Sequence, residues 1–405
     1  MLDDFGQRIR DIILSEMDLS RELSDEEICD LIGSVVSREA RDRPMTIKDR
    51  AELERTIFNS LRKLDVLQEL VDDRDVTEIM VNGPNDIFYE KAGRIQRFKG
   101  HFSSEEKLED VIQQIVGRHN RVVNQASPIV DTRLSDGSRV NIVLNPISIG
   151  GSAVSIRKFP EHPMSMERLV EIEALSPEVA RLLQILTQAK YNIFISGGTG
   201  SGKTTFLNAL SQYIPDDERI ITIEDSAELQ LLGAKNIVRL ETRNANTDGV
   251  TPITIRDLIR TALRMRPDRI IVGECRGAEA LDMLQAMNTG HDGSLSTGHA
   301  NSPHDIISRI ETMVLQGRDF PLNAIRQQIA SGIDIIVQLG RLRDKSRRVL
   351  EISEVDGFMD GEIVLHTLYR FEETAVLDGG RIQGFLKKAG TLCHNDKLMA
   401  AGLSV

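Results

Sequence analysis

A glycine-rich segment between two apolar runs constrains the fold of this chain more than any other feature. Residues 191–195 read as an apolar strand, and residues 206–210 read as the start of a helix. Between them, the spacing of Gly197, Gly202, Lys203 and Thr204 fits G-x-x-x-x-G-K-[ST], in which backbone N–H groups and a lysine surround a polyphosphate and the hydroxyl holds Mg²⁺. The strand before it and the helix after it favour this interpretation over a chance glycine-rich turn. We call residues 197–205 the phosphate loop, and its predicted binding residues are Gly197, Gly198, Thr199, Gly200, Ser201, Gly202, Lys203, Thr204 and Thr205.

The overall composition limits the kind of partner that this chain can have. The 405 residues carry a formal net charge of −12, which opposes binding to the phosphate backbone of nucleic acids. The three cysteines lie far apart and form no C-x-x-C pair, so a reducing cytoplasm is the expected compartment. We see neither a signal peptide nor a run of about 18 apolar residues that could span a membrane.

Residues 1–72 are predicted to be helical and acidic, with 18 Asp and Glu against 11 Lys and Arg. Ser24 and Glu27 have the spacing of a capping box, and apolar residues follow on one helical face. A second apolar stripe begins at Leu53. These stripes predict a small helical bundle; a partner-binding coiled coil is less favoured, because no heptad pattern persists.

Residues 73–160 change to short β-type runs and predict a small α+β domain. Strands are expected at 76–81 and 87–90 with a turn at 82–85, and again at 140–144 and 153–157. Ser103 and Glu106 have capping-box spacing ahead of a helix. Three arginines lie at or near the ends of predicted strands in this segment: Arg133, Arg139 and Arg157. Taken alone, exposed arginines at such positions are usually solvated.

A domain boundary is predicted at residues 160–163, where two prolines in four residues disfavour both helix and sheet. We assign 161–168 to the linker, 169–372 to the next domain and 373–405 to a C-terminal tail. In that domain strands alternate with helices, which predicts an α/β fold with a mostly parallel sheet covered on both faces. A later hairpin is expected to pair 348–356 with 362–371 through a turn at 357–361.

Acidic residues follow two of the predicted strands in this domain. Glu224 and Asp225 end one strand, and Glu274 ends the other with Arg276 close behind. A single acidic residue at the end of a strand is usually a helix cap. Two strands that end in acidic residues downstream of one phosphate loop instead indicate groups that orient water or support a metal. His291 and His299 lie in a Gly/Ser/Thr-rich segment, where metal ligation lacks partner residues at suitable spacing.

Four segments together resemble the motifs of a known family. Residues 197–205, 220–229, 266–277 and 289–302 look like the Walker A motif, Asp box, degenerate Walker B motif and His box of secretion ATPases, which serve type II secretion, type IV pili and VirB11-type systems. The resemblance runs from about residue 60 to 355. It implies a RecA-like P-loop ATPase domain preceded by a smaller α+β (PAS-like) N-terminal domain. Residues 76–84 and 286–293 look most like the CpaF/TadA branch, which assembles tight-adherence (Flp) pili.

The resemblance also implies roles for individual residues. Lys203 and Thr204 would hold the phosphates and Mg²⁺, and Glu274 would activate water. His299 would report on the γ-phosphate. Further residues would assist them: Glu224 and Glu228 near the metal or water, His291 beside His299, and Asp225 and Arg276 as supporting groups. Arg139 and Arg157, with Arg133 third, would reach the nucleotide and stabilise the charge of the transition state.

Two departures from the family pattern stand out. Gly273 occupies the place where an ordinary Walker B strand ends in Asp, and the C-x-x-C pairs of the zinc-bearing type II branch are missing. The resemblance implies an Mg²⁺-dependent ATPase that forms a homo-oligomeric ring, expected to be a hexamer, beneath inner-membrane platform proteins and without nucleic acid. Three alternatives stay open: a VirB11-like type IV secretion or competence motor, a RecA-like nucleic-acid translocase, and a nucleotide switch that does not turn over.

Overall fold

The computed structural model describes residues 4–17, 21, 23–42, 45–91, 93–118, 122–159, 163–231, 233–243 and 251–405. The chain divides into two compact units, Met1–Glu161 and His162–Val405. The boundary predicted at 160–163 includes this division, and residues 160–162 lie outside the described residues.

The first unit begins with helices that bury one apolar face each. They are α1 (Asp4–Glu16), α2 (Asp25–Glu39), α3 (Ile47–Arg62) and α4 (Gln68–Asp72). The predicted capping box is present, since the Ser24 side chain accepts from the Glu27 N–H and the Glu27 carboxylate accepts from the Ser24 N–H. Apolar side chains of α1, α2 and α3 pack together in a small core, as the two sequence stripes predict.

An antiparallel sheet and one helix form the rest of the first unit. The strands are β1 (Val76–Asn82), β2 (Ile87–Lys91), β3 (Arg94–Arg97), β4 (Ile129–Arg133), β5 (Arg139–Val143) and β6 (Ala153–Arg157), and the helix is α5 (Glu105–Gly117). The order across the sheet is β3-β2-β1-β6-β5-β4. The predicted cap of α5 is displaced by one residue: Ser104, rather than Ser103, has extended backbone and accepts from the Lys107 N–H.

The second unit is built on one mixed sheet, whose strands begin at Ile193 and end at Lys388. Its strands are β7 (Ile193–Gly197), β8 (Arg219–Glu224), β9 (Asn236–Glu241), β10 (Arg269–Val272), β11 (Leu295–Gly298), β12 (Ile335–Arg341), β13 (Arg347–Met359), β14 (Glu362–Val376) and β15 (Ile382–Lys388). Within the described residues the order is β15-β14-β13-β12-β7-β11-β10-β8-β9. The strands from β12 to β9 in this order are parallel, and β13, β14 and β15 extend the sheet antiparallel.

Helices cover both faces of this sheet, as the alternating pattern predicts. They are α6 (Met166–Glu171), α7 (Pro177–Gln188), α8 (Lys203–Ser211), α9 (Ile255–Ala262), α10 (Glu279–Asn288), α11 (Pro303–Gly317), α12 (Leu322–Gly332) and α13 (Asp396–Ala401). Side chains of α7 and α8 form the core on one face, and those of α9 to α12 form the core on the other. In the part of the chain that the structure describes, every helix is too short or too polar to cross a bilayer.

The C-terminal part of the sheet differs in detail from the sequence-based expectation. The predicted loop at 357–361 is wrong, because β13 continues to Met359 and the chain reverses at Asp360 and Gly361. Gly357 instead lies at a shift in the β13–β14 register with φ +136°, a conformation that favours glycine. Residues 373–405 complete β14 and supply β15 and α13, so they belong to the same sheet and its helical cover.

Candidate functional site

The phosphate loop connects the central strand β7 to helix α8. Gly200 and Gly202 have φ values of +70° and +95°, which glycine adopts without the steric penalty of a Cβ atom. Gly202 is the N-cap of α8 and no side chain caps the first turn. The N-terminal N–H groups of α8 therefore remain available to an anion, and the helix dipole favours negative charge there.

Lys203 occupies the centre of the loop and is 8% exposed. Its Nζ donates to the carbonyl oxygens of Gly197 (3.0 Å) and Gly198 (3.1 Å) and lies 3.2 Å from His299 Nδ1. Burial lowers the pKa of Lys203, and Arg276 adds to this effect while Glu274 opposes it. The ammonium group is thus held in a cradle of neutral oxygens at the place where the motif predicts phosphate.

Glu274 follows β10 and lies between a histidine and an arginine. Its Oε2 accepts from Arg276 Nη2 at 2.7 Å and from Arg276 Nε at 2.9 Å. Its Oε1 is 2.7 Å from His299 Nε2, but this contact lacks hydrogen-bond geometry, and Oε1 is buried without a hydrogen-bond partner. A buried carboxylate oxygen without a partner is unfavourable, so an additional donor fits this position.

His299 links the lysine of the loop to this carboxylate. Burial lowers the pKa of His299, and the Lys203 ammonium group lowers it further, while Glu274 raises it. Because Lys203 Nζ is a donor, His299 Nδ1 is the acceptor of that pair and the ring proton resides on Nε2. A neutral imidazole therefore lies between the two charged groups: Nδ1 accepts from Lys203, and Nε2 lies 2.7 Å from Glu274 Oε1 without hydrogen-bond geometry.

Glu224 explains why residue 273 is a glycine. Glu224 ends β8, the strand next to β10, and is 4% exposed. A Cβ atom at position 273 would lie 2.9 Å from Glu224 Cγ, so the Glu224 side chain fills the space beside Gly273. Glu224 Oε1 accepts from the N–H groups of Glu228 and Leu229, both at 2.9 Å. Burial outweighs these two hydrogen bonds and raises the pKa of Glu224 to about 7.

Arg276 is held in place by acids on both sides. Its Nη1 lies 3.6 Å from Asp225 Oδ2, in addition to its two bonds with Glu274. Glu279 Oε1 accepts from the backbone N–H groups of Arg276 (2.6 Å) and Gly277 (2.8 Å) and so shapes the turn before α10. Glu279 is not among the residues predicted from the sequence, although an acid three residues after Arg276 is a capping signal.

The structure brings some predicted site residues together and separates others. Lys203, Glu274, Arg276 and His299 form one cluster at the carboxyl edge of the parallel strands. His291 lies before the start of β11, whereas His299 follows its end, and His291 Nδ1 is 3.2 Å from the carbonyl oxygen of Ala286. The expected contribution of His291 to the His299 cluster is therefore not supported by its position.

The three predicted arginines lie in the first unit and form a row. The strand register places Arg139 directly opposite Arg133 on one side and Arg157 on the other. Arg139 Nη2 is 3.7 Å from Asp131 Oδ1. Like charges directly opposite each other are unfavourable in a sheet. We call these three residues the arginine row.

Metal ligation by protein side chains alone finds no support in the geometry. Among the described residues, no group of three or more His, Cys, Asp or Glu side chains is arranged to hold a metal ion. Thr204, which the motif assigns to Mg²⁺, lies partly exposed in the first turn of α8.

Comparisons with known proteins agree with this architecture. Residues 60–378 match the model of a family described as type II/IV secretion system protein. The chain is 33% identical to the type IV secretion system protein PtlH of Bordetella pertussis over 320 residues, covering 73% of this chain and 94% of PtlH. It is 31% identical to the conjugal transfer protein TrbB of Rhizobium radiobacter over 332 residues, covering 81% of this chain and 98% of TrbB. The crystal structure of the pilus retraction motor PilT with bound ADP has the same fold, with a TM-score of 0.55 and 22% identity over 82% of this chain and 84% of that chain.

Proposed function

Because this chain belongs to the type II/IV secretion system protein family, we propose that it is an Mg²⁺-dependent ATPase that powers a pilus-assembly or secretion machine. One observation carries the proposal of hydrolysis. A buried carboxylate oxygen of Glu274, without a hydrogen-bond partner, lies in a cluster with His299 and with the lysine of the phosphate loop. Hydrolysis of a phosphoanhydride needs such an acceptor to orient the attacking water.

The loop fits a nucleoside triphosphate with Mg²⁺. Among the described residues, no side chain caps the first turn of α8, and Lys203 Nζ bonds only carbonyl oxygens and an imidazole nitrogen. Phosphate oxygens can replace these acceptors. Thr204, in the first turn of α8, is proposed to contribute its hydroxyl to the metal. Mg²⁺ held there would neutralise part of the phosphate charge.

Glu274 is proposed to accept a hydrogen bond from the attacking water through Oε1. Arg276 fixes the carboxylate by bonding Oε2, which leaves Oε1 directed to the water. His299 is proposed to sense the γ-phosphate, because it contacts both Lys203 and Glu274 and must respond when either moves.

Glu224 is proposed to support the site by holding the loop that follows β8. One of its oxygens is already used by the N–H groups of Glu228 and Leu229, and the side chain is buried. Asp225 is proposed to position Arg276, to which it contributes a 3.6 Å charge contact.

The arginine row is proposed to bind the phosphate end of the nucleotide and to stabilise the charge that develops during transfer. Three guanidinium groups on adjacent strands can provide several donors to phosphate oxygens. The arginines belong to the first unit and the phosphate loop to the second. An arginine supplied by a mobile domain or by a neighbouring subunit can couple hydrolysis to motion.

For the whole assembly we propose a homo-oligomeric ring, expected to be a hexamer, on the cytoplasmic side of inner-membrane platform proteins. Assembly of a tight-adherence (Flp) pilus is one candidate role, based on residues 76–84 and 286–293. Type IV secretion is the second, and it is favoured by the match to PtlH and TrbB over more than nine-tenths of their lengths. Replacing the gene in the source organism by an inactive variant, then assaying pili and secreted protein, separates the two. We expect no stimulation of hydrolysis by DNA or RNA.

Glu274→Gln tests the proposed reaction. We expect turnover of Mg-ATP to fall by about 10²- to 10⁴-fold, the usual contribution of a general base, while ADP still binds. Steady-state phosphate release and calorimetric ADP binding provide the two measurements. Glu372→Gln is the matched control, since Glu372 is an exposed acid of the same unit paired with Lys387, and it should leave turnover unchanged. Measurable turnover of the parent chain that Glu274→Gln leaves unaltered would remove Glu274 from this role.

A further inference from the structure

Arg347, at the start of β13, touches the outer side of the phosphate loop. Its Nε donates to the carbonyl oxygen of Gly200 at 2.9 Å. A Cβ atom at Gly202 would lie 3.5 Å from Arg347 Cδ, so the aliphatic part of the arginine runs along the loop. The side chain is nevertheless exposed. Its guanidinium group therefore lies at the loop with donors facing solvent.

The strand register explains how a residue distant in sequence reaches the loop. Leu339 of β12 lies beside Gly197, the last residue of β7, in the parallel register. Two residues further on, β12 ends at Arg341, at the same edge of the sheet as the loop. Arg341 lies directly opposite Arg347 in the antiparallel pair of β12 and β13.

Both arginines belong to the face of the sheet that carries α8. Leu339 pairs with Val349, and Arg341 pairs with Arg347. The two members of a pair share a face of the sheet, and residues two apart in a strand also share a face. All four side chains therefore lie on the same face. Leu339 and Val349 are buried in the core that includes Phe206 of α8. Arg341 and Arg347 thus lie next to Leu339 and Val349 on this face, toward the start of α8.

Two neighbouring arginines of the hairpin have acidic partners. Arg343 pairs with Glu373 and the buried Arg348 pairs with Glu173. Arg341 and Arg347, by contrast, have no ion-pair partner among the residues that the structure describes, and they oppose each other as like charges. Such a pair is unfavourable in a sheet, and an anion beside both would offset the repulsion.

We infer that Arg347, assisted by Arg341, binds the diphosphate part of the nucleotide held by the phosphate loop. The inference rests on the proposed function only in requiring that the loop binds a nucleoside di- or triphosphate. A guanidinium group can bind two phosphate oxygens in parallel, which the lysine of the loop cannot do. Since ADP and ATP share the diphosphate, Arg347 contributes to the affinity for both, unlike a residue that recognises the γ-phosphate alone.

Calorimetric titration of the full chain with Mg-ADP tests the inference. We expect Arg347→Ala to weaken ADP binding about tenfold, the size of one charge-assisted hydrogen bond, and Arg341→Ala to weaken it roughly threefold. Arg347→Gln should resemble Arg347→Ala, although its amide can still donate to the Gly200 carbonyl. Arg343→Ala, on the same hairpin, is the matched control and should leave ADP affinity unchanged. The loss at position 347 should shrink as salt concentration rises.

Three results would overturn the inference. If Arg347→Gln binds ADP as the parent chain does while Arg347→Ala binds it weakly, Arg347 only holds the Gly200 carbonyl. If both variants bind as the parent chain does, Arg347 contributes nothing. Failure of ATP hydrolysis alongside the expected loss of ADP affinity would refute the proposed function and leave this inference standing, whereas a parent chain that binds no ADP would overturn both.

Discussion

At the scale of single residues, the most informative pair is Glu224 and Gly273. The two residues lie at the ends of adjacent parallel strands, β8 and β10. Glu224 occupies the space that a side chain at 273 would need, and its carboxyl group is buried with a pKa near 7. The apparent loss of an acid from β10 is therefore accompanied by an acid from the neighbouring strand at nearly the same place.

The raised pKa of Glu224 predicts how stability changes with pH. Between the ordinary value of 4.5 and about 7, the folded carboxyl group keeps a proton that the unfolded one releases, so the free energy of unfolding falls as pH rises through this window. Glu224→Gln retains an oxygen that accepts from the Glu228 and Leu229 N–H groups but cannot ionise. We expect this variant to be more stable than the parent chain at pH 8, by about 2 to 3 kcal/mol, with little difference at pH 4.5.

Thermal unfolding at a series of pH values measures this effect. Glu372→Gln, which alters an exposed acid, should follow the parent curve. A Glu224→Gln curve parallel to that of the parent chain across the window would show that Glu224 ionises normally in the folded state.

Several site residues could be identified from sequence, and others depended on tertiary contacts. The spacing of Gly197, Gly202 and Lys203 is a local pattern, so the loop was predictable. Glu279 accepts from two N–H groups that lie within three residues of it in sequence, so its role is also a local pattern that could have been predicted. Arg347 could not, because its proximity to Gly200 arises from the register of β12 and β13 with β7.

At the scale of elements, helix α13 is fixed to the amino edge of the sheet. Lys397 Nζ bonds Asp334 Oδ2 at 2.6 Å and lies 2.7 Å from Asp292 Oδ1. Tyr191 adds a hydrogen bond from its hydroxyl to the carbonyl oxygen of His394 at 2.7 Å. These partners lie outside the predicted tail, and no periodicity within residues 373–405 indicates them, which is why the sequence analysis set this segment apart.

Lys397→Met should weaken the attachment of α13. Burial already raises the pKa of Asp334, and Lys397 is the group that opposes this effect most strongly. Removing the ammonium group leaves a half-buried carboxylate without its charged partner, for which we expect a loss of about 2 kcal/mol in unfolding free energy. Chemical denaturation followed by circular dichroism measures it.

Lys387→Met provides the control for that substitution. Lys387 and Glu372 form an exposed pair at 2.8 Å on the same C-terminal segment, and such pairs contribute less than about 1 kcal/mol. Equal losses for the two lysines would show that the buried contacts of α13 contribute no more than a surface pair.

At the scale of the whole molecule, the residues with proposed roles belong to two different units. The architecture of the second unit was predictable because alternating strands and helices allow few arrangements. The alignment of Arg133, Arg139 and Arg157 in one row was not, since it depends on the pairing of three strands. Sequence alone also leaves open whether the arginine row serves its own phosphate loop or that of another copy.

Mixing two inactive variants distinguishes these possibilities. One variant carries Glu274→Gln, and the other carries Arg139→Gln with Arg157→Gln. If neighbouring copies in the ring supply the arginines, mixed rings contain sites with both functional parts, and we expect ATP turnover above that of either variant alone. Turnover of the mixture no higher than the average of the two variants would assign the arginines to the same chain. Each variant mixed with itself is the control.

The packing of Glu224 against Gly273 has a consequence for the evolution of this site. The two strands offer room for one carboxylate, so an acid at 273 and the present conformation of Glu224 exclude each other. To exchange an acid at 224 for an acid at 273, both positions must be substituted. The single-substitution intermediate then has either two carboxylates competing for the same space or no carboxylate there. Positions 224 and 273 should therefore covary among homologous sequences. A search pattern that requires an acid at one of these positions will miss chains that carry it at the other.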